Sequence, residues 1–315
     1  MNRPIANWQT RVLQANLVAQ TLIVVTGALV RVTSSGLGCP TWPECVEGSV
    51  TPTSEQTESW HKYVEFGNRL LTGALLIIAV AAFVTVLIIN RQRIAGGLGK
   101  RTHLTKLSLA VIGGIFFQAV LGGITVLTGL NPLIVGAHFL VSTGLIAISF
   151  MLLHRALEPN EAIFEPVAKP VKYLIQAITA NVLIIIVLGI LVTGTGPHAG
   201  DSAEVPRLGF DPVTIAHVHA TAVQLFFGLV IGLIVAVLAN DSSRLFFRRS
   251  IVLLFVGLAQ GAIGYIQYFT GLPWVLVAFH VLGACLLWLA TLNLLALTIE
   301  PKQTTQTVAT NSAKL

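Results

Sequence analysis

Five histidines carry the first chemical signal in this 315-residue chain. His138 and His280 each lie about two helical turns beyond a proline (Pro132 and Pro273), inside long apolar runs. At about 1.5 Å per residue, both would sit roughly 10 Å below one surface of a membrane. His217 and His219 enter another run at a similar distance after Pro212, and His61 stands at the mouth of a fourth. A lone intramembrane histidine can serve as an interhelical hydrogen bond. Matched placement in alternate runs argues instead for a set of ligands. Neutral imidazole is the usual ligand of haem iron, and facing helices of a bundle can hold a haem between two of them. Zinc would want carboxylate or thiolate neighbours at the same level, and the second half of the chain offers none. The pattern predicts one haem between His219 and His280, and another held by His138 with a partner on the second run. His217 is the alternative to His219. Residues two apart on a helix point to different faces, so only one of them can serve, and the register that lays Asn68 against His219 favours His219.

The second run opens with "WHKYVEFGNRLLTG", residues 60–73. His61, Glu65 and Asn68 are spaced i, i+4, i+7 and share one helical face, while Arg69 lies four residues after Glu65. One reading is a salt-bridged cluster at a helix start, where a carboxylate suits the dipole. The other takes Glu65 as a working group on the face that meets His138, since a carboxylate inside an apolar span is costly. Beside a haem edge it would act as base, proton relay or electrostatic stabiliser. Ahead of this run, "SSGLGCPTWPEC" places Cys39 and Cys45 in a loop bent by two prolines. On an oxidising side of a membrane such a pair forms a disulfide, structural or redox-active. Cys285 is expected to be an inert core thiol.

These groups must be positioned by membrane helices. The chain is 54% hydrophobic and 10% charged, with a mean hydropathy of +0.81, against roughly 25% charged in soluble domains. Eight apolar runs are long enough to cross a bilayer: 12–32, 64–89, 104–128, 133–153, 171–192, 213–239, 251–270 and 274–299. They are continuous, not the short alternating segments of a β-barrel. The first is expected to be a retained helix because it is too long for a signal-peptide core. A net charge of +6 does not indicate nucleic acid. Most basic residues, such as Arg91, Arg93, Arg155, Arg248 and Arg249, fall on one side of an eight-span layout. By the positive-inside rule this is the cytoplasmic side and holds both termini.

The chain also repeats itself. Gln118, Gly122, Thr128-Gly129-Leu130 and His138 recur as Gln260, Gly264, Thr270-Gly271-Leu272 and His280, all in one ungapped register. A weaker echo relates "GALVRVTSSG" (27–36) to "GILVTGTG" (189–196). The fold class expected is an all-α integral membrane protein, with eight transmembrane helices as two parallel, pseudo-twofold-related four-helix bundles. The halves would be 1–160, with outer loop 33–63, and 161–300, each with a haem site. Residues 301–315 would form a disordered cytoplasmic tail.

With the first loop, the Glu-x-x-x-Arg opening of span two and the outer-side histidines in view, the chain resembles the haem A synthases over residues 12–299. The resemblance implies oxidation of the C8 methyl of haem O to the formyl of haem A by successive hydroxylations and loss of water. It places the substrate haem in the first half and haem b in the second. It puts Glu65 on the glutamate that the family needs for activity, and Cys39 and Cys45 on its loop cysteine pair. It implies a haem O synthase (protohaem farnesyltransferase) as source of substrate, an electron donor, and residence among the lipids of a bacterial plasma membrane. Many members carry histidine where this chain has Asn68, so His138 would hold the substrate haem alone or with His61. Two other classes compete: a b-type cytochrome for transmembrane electron transfer, and a haem or proton-coupled transporter.

Overall fold

Each apolar run folds as a helix, because in hydrocarbon every backbone N–H and C=O must be satisfied within its own segment. The computed structural model describes residues 5–56, 59–158, 167–201, 204–240 and 242–298. The helices are α1 (Asn7–Val32), α2 (His61–Ala95), α3 (Thr102–Leu127), α4 (Pro132–Leu157), α5 (Lys169–Thr195), α6 (Pro212–Ala239), α7 (Arg244–Phe269) and α8 (Trp274–Leu295). All eight are long and apolar enough to span a membrane. The helices overrun the expected spans mainly at polar ends. α2 continues past Ile89 through Arg91 and Arg93 to Ala95, where long basic side chains reach water while their stems stay on apolar surface. The expected boundary between halves, at 160/161, and the tail 301–315 lie outside the described residues.

Local chemistry fixes the helix starts. Pro132, Pro170 and Pro212 stand in the first turns of α4, α5 and α6, where the missing N–H has no intrahelical acceptor to lose. Asn131 caps α4 by accepting from the Leu133 N–H at 3.0 Å. Asp211 caps α6 by accepting from the Thr214 N–H and hydroxyl, both at 2.7 Å, and these bonds hold its carboxyl below the usual value.

The helices pack in two closed cycles. α1 meets α2 and α4, and α3 meets the same two; α5 meets α6 and α8, and α7 meets the same two. α1 and α4 join the cycles by packing on α8, and α4 also packs on α5. The Trp288 indole N–H donates across this seam to the Thr143 carbonyl at 3.1 Å. Large apolar side chains such as Ile77, Leu133, Phe255 and Phe269 face outward, whereas Gln9, Asn16, Ser149 and Ser250 are fully buried. This inverts the pattern of a water-soluble bundle and suits a lipid surround.

The sequence repeat is also a backbone repeat. α3 and α7 both end on a glycine and a leucine with positive φ: Gly129 and Leu130 at 58° and 60°, Gly271 and Leu272 at 77° and 59°. In each, the leucine N–H closes back on the carbonyl five residues earlier, Thr125 at 2.9 Å and Gln267 at 2.7 Å. Leucine in this conformation costs roughly 1–2 kcal/mol. In the first cycle burial offsets it: Leu130 is 6% exposed and packs under Gly36 and Gly200, where the two long loops meet.

Candidate haem-binding site

Three imidazoles are seated in the same way. His138 on α4 lies against Gly122 of α3, His219 on α6 against Gly189 of α5, and His280 on α8 against Gly264 of α7. A Cβ added at these glycines would stand 3.3, 3.4 and 3.4 Å from the respective Cε1. A side chain extending beyond Cβ at these positions would push the ring away from the neighbouring helix backbone. In all three rings Nδ1 is buried and has no hydrogen-bond partner. Two of the seats share a brace: Gln118 Nε2 donates to the His138 carbonyl at 3.0 Å, and Gln260 Nε2 to the His280 carbonyl at 2.8 Å. Gln118 also donates to the Ser142 hydroxyl.

His219 and His280 lie on α6 and α8, both of which flank α5 and α7. His217 is exposed, and its carbonyl accepts from the Thr221 hydroxyl at 2.9 Å. Of the two histidines on α6, it is therefore His219 that enters a glycine seat.

The start of α2 is organised by the first loop. Glu65 is 6% exposed. Its Oε1 accepts from Arg69 Nη2 at 2.6 Å and Nε at 3.1 Å, and its Oε2 accepts from the Cys39 N–H at 2.6 Å. Arg69 donates further to the carbonyls of Cys39, Thr41 and Glu44 at 2.8, 3.0 and 3.1 Å. These contacts realise the salt-bridged cluster that the spacing allowed, and extend it: the pair clasps the loop onto α2. His61 and Asn68, on the same helical stripe, reach back to α1 and its C-terminal loop. His61 Nδ1 lies 2.9 Å from the Ser35 hydroxyl, and the Thr26 hydroxyl donates to Asn68 Oδ1 at 2.8 Å.

Cys39 and Cys45 form a disulfide and are fully buried. Between them Trp42 packs its ring against Gly123 of α3, next to the seat of His138. Loop, Glu65–Arg69 pair and His138 are thus gathered at one end of the first helix cycle. Lys62 is buried too, and its ammonium donates to the Thr53 and Gln56 carbonyls at 2.7 and 3.3 Å. The two outer loops are stitched together. Gly36 N–H donates to the Gly200 carbonyl at 2.7 Å, while Arg31 donates to the carbonyls of Thr193 and His198, both at 2.7 Å. His198, in the second of these loops, is half-buried with Nε2 2.8 Å from the Leu272 carbonyl.

Chemically, the residues suit haem. The unpartnered Nδ1 atoms belong to apolar, glycine-floored seats on helices flanking a common interior. Each Nδ1 lies on the glycine side of its ring, 3.8–3.9 Å from an added Cβ, so Nε2 is the nitrogen that would ligate iron. Ligand binding that let the buried Nδ1 donate a hydrogen bond would relieve the cost of its burial. Glycine floors, glutamine braces and the Thr26 and Ser35 contacts escape a reading of the histidines alone. Gln118, Gln260, Gly122 and Gly264 nevertheless announce themselves in the repeat.

Fold and site together define a polytopic helical membrane protein with one histidine seat in the first helix cycle and two in the second. The chain belongs to the COX15-CtaA family of cytochrome oxidase assembly proteins, whose profile matches residues 10–292. Relatives carrying the name heme A synthase are similar over parts of it. The protein of Geobacillus kaustophilus is 34% identical over 134 residues, 42% of this chain and 38% of that protein. The protein of Lysinibacillus sphaericus is 30% identical over 188 residues, 58% and 56% of the two chains. The protein of Bacillus mycoides is 24% identical over 273 residues, 82% and 83%. The first two matches thus span between about two fifths and just over half of those relatives.

Proposed function

We propose that this protein is a haem A synthase of a bacterial plasma membrane, with both termini in the cytoplasm. The observation that carries the reading is the threefold imidazole-on-glycine seat with its buried, unpartnered nitrogen, found in a member of this family. His219 and His280 hold haem b in the second half, residues 161–300, which supplies one-electron redox chemistry there. In the first half, residues 1–160, His138 would hold the substrate haem O. Two successive hydroxylations of its C8 methyl, each drawing on a two-electron oxidant such as dioxygen with a donor's electrons, give a geminal diol that loses water to leave the formyl group. The two halves are related by a pseudo-twofold axis along the membrane normal.

In this reading the Glu65 carboxylate, braced by Arg69 and the Cys39 N–H, supplies a fixed negative charge beside the substrate ring. Positive charge that develops as the methyl is oxidised is stabilised there far more than in water. The Trp42 loop, held by the same pair and the disulfide, excludes water from that end. Haem O synthase supplies the substrate, and a membrane electron donor serves the redox chemistry. Co-expression of the full-length protein with a haem O source, followed by chromatography of extracted haems, tests the proposal. Haem A beside haem b is expected. Two haem b per chain with haem O left untouched would point to a b-type cytochrome, and a haem-free protein to a transporter.

A further inference from the structure

The fourth glycine seat is built differently. The echo between residues 27–36 and 189–196 pairs Gly27 with Gly189. On the second member of that pair lies the His219 ring. At Gly27 nothing comes within 4 Å of an added Cβ. The helix that would present an imidazole there, α2, carries Asn68, and the asparagine meets Thr26, the residue beside Gly27, with Thr26 Oγ1 to Asn68 Oδ1 at 2.8 Å. Asn68 is thus tied to α1 beside Gly27 but does not lie on it in the way that His219 lies on Gly189. The same two helix cycles thus contain three filled imidazole seats and one in which a shorter side chain is tied back to its neighbour. The nearest other imidazole on α2, His61, lies seven residues earlier and is engaged by Ser35 Oγ at 2.9 Å while stacking on Trp60 with ring centroids 4.1 Å apart.

We infer that the first half ligates its haem through one protein imidazole, His138, and that the Gly27–Asn68 side is a binding position for a small ligand of iron. Diatomic molecules and small neutral or anionic nitrogen and carbon donors (carbon monoxide, cyanide, imidazole) are the class it would take. The inference rests on the haem reading above but not on any catalytic activity. An amide is a poor iron ligand, whereas an amide bordering the open face is suited to hydrogen-bond the outer atom of a bound diatomic. In the second half His219 and His280 would both ligate the haem, so ligand reactivity should distinguish the halves.

The test uses the full-length protein in detergent, loaded by titration with haem b and reduced under carbon monoxide. Wild type should take up two haems, one low-spin and unreactive, the other high-spin and binding carbon monoxide. Asn68→His should convert the reactive haem to a low-spin form and abolish carbon monoxide binding without changing haem content. His138→Ala should remove the reactive haem, and His280→Ala should leave it in place. Two low-spin haems in wild type, neither reacting, would overturn the inference. If His61→Ala then made one of them reactive, His61 would be the missing ligand. Uptake of fewer than two haems per chain would overturn the haem reading itself and the inference with it.

Discussion

Gly264 lies under the His280 ring, and enlarging it should unseat the imidazole. A Cβ at this position falls 3.4 Å from Cε1, just inside the 3.5–4.0 Å optimum for carbon pairs. Gly264→Ala therefore needs a shift of only a few tenths of an ångström, and helix propensity returns up to about 1 kcal/mol. This variant should keep its haem. Valine places further carbons about one bond length, roughly 1.5 Å, beyond Cβ, so the ring cannot stay where it is. Overpacking of this kind costs about 1–3 kcal/mol, which at about 1.4 kcal/mol per decade is a loss of roughly 5- to 140-fold in haem affinity. Haem b titration of the full-length protein, read by its low-spin absorbance, measures this. Gly113→Val on α3, where nothing lies within 4 Å of an added Cβ, controls for valine in a membrane helix. Affinity of Gly264→Val within twofold of wild type would refute the seat, as would an equal loss in the control.

Three further outcomes are expected. Glu65→Gln keeps the shape but leaves Arg69 without its carboxylate. Since three backbone carbonyls still hold the guanidinium, the cost should be about 1.5–3 kcal/mol. The variant should fold, retain haem b in the second half and yield about 100-fold less haem A; normal haem A output would show that the carboxylate only clasps the loop. Peptide mapping by mass spectrometry without reduction should recover Cys39 linked to Cys45. Replacing both by serine should loosen the Trp42 loop by about 2 kcal/mol or less, because so short a loop confines little chain entropy; global loss of fold in that variant would contradict this. Finally, His280→Ala should abolish the low-spin haem b spectrum while His217→Ala preserves it, and the reverse pattern would reassign the α6 ligand.

The eight spans were legible because each is a continuous apolar run, a signal that needs no tertiary information. The register of the repeat was legible for the same reason: Gln118, Gly122 and His138 keep one spacing to Gln260, Gly264 and His280. What the sequence could not give is which neighbour each helical face meets. The i, i+4, i+7 stripe on α2 placed His61, Glu65 and Asn68 on one face but suggested His138 as their target. Their hydrogen bonds go to α1, its following loop and the disulfide segment, where the Thr26 and Ser35 hydroxyls and the Cys39 N–H satisfy polar groups that the apolar interior would leave unpaired. The glycine seats were hidden for a related reason. A glycine in a membrane helix signals close approach, but only the interhelical register shows that an imidazole is what approaches. The contact of His198 is hidden in the same way, because its acceptor, the Leu272 carbonyl, lies 74 positions away.

Arg31 has a history as well as a place. It is made with the first transmembrane segment, yet the carbonyls that receive its guanidinium belong to residues 162 and 167 positions later in the chain. At about 5–20 residues per second, a ribosome needs on the order of 10–30 s to deliver them. Through that interval the nascent first half must park a cation at the lipid headgroups and wait. Arrival of the α5–α6 connection then both satisfies the arginine and ties the halves together, so that synthesis of this connection is itself recorded at that rim. Nascent chains arrested before residue 193 should leave Arg31 open to phenylglyoxal, whereas the finished protein should shield it; equal labelling of the two would mean that the stitch is not what protects it.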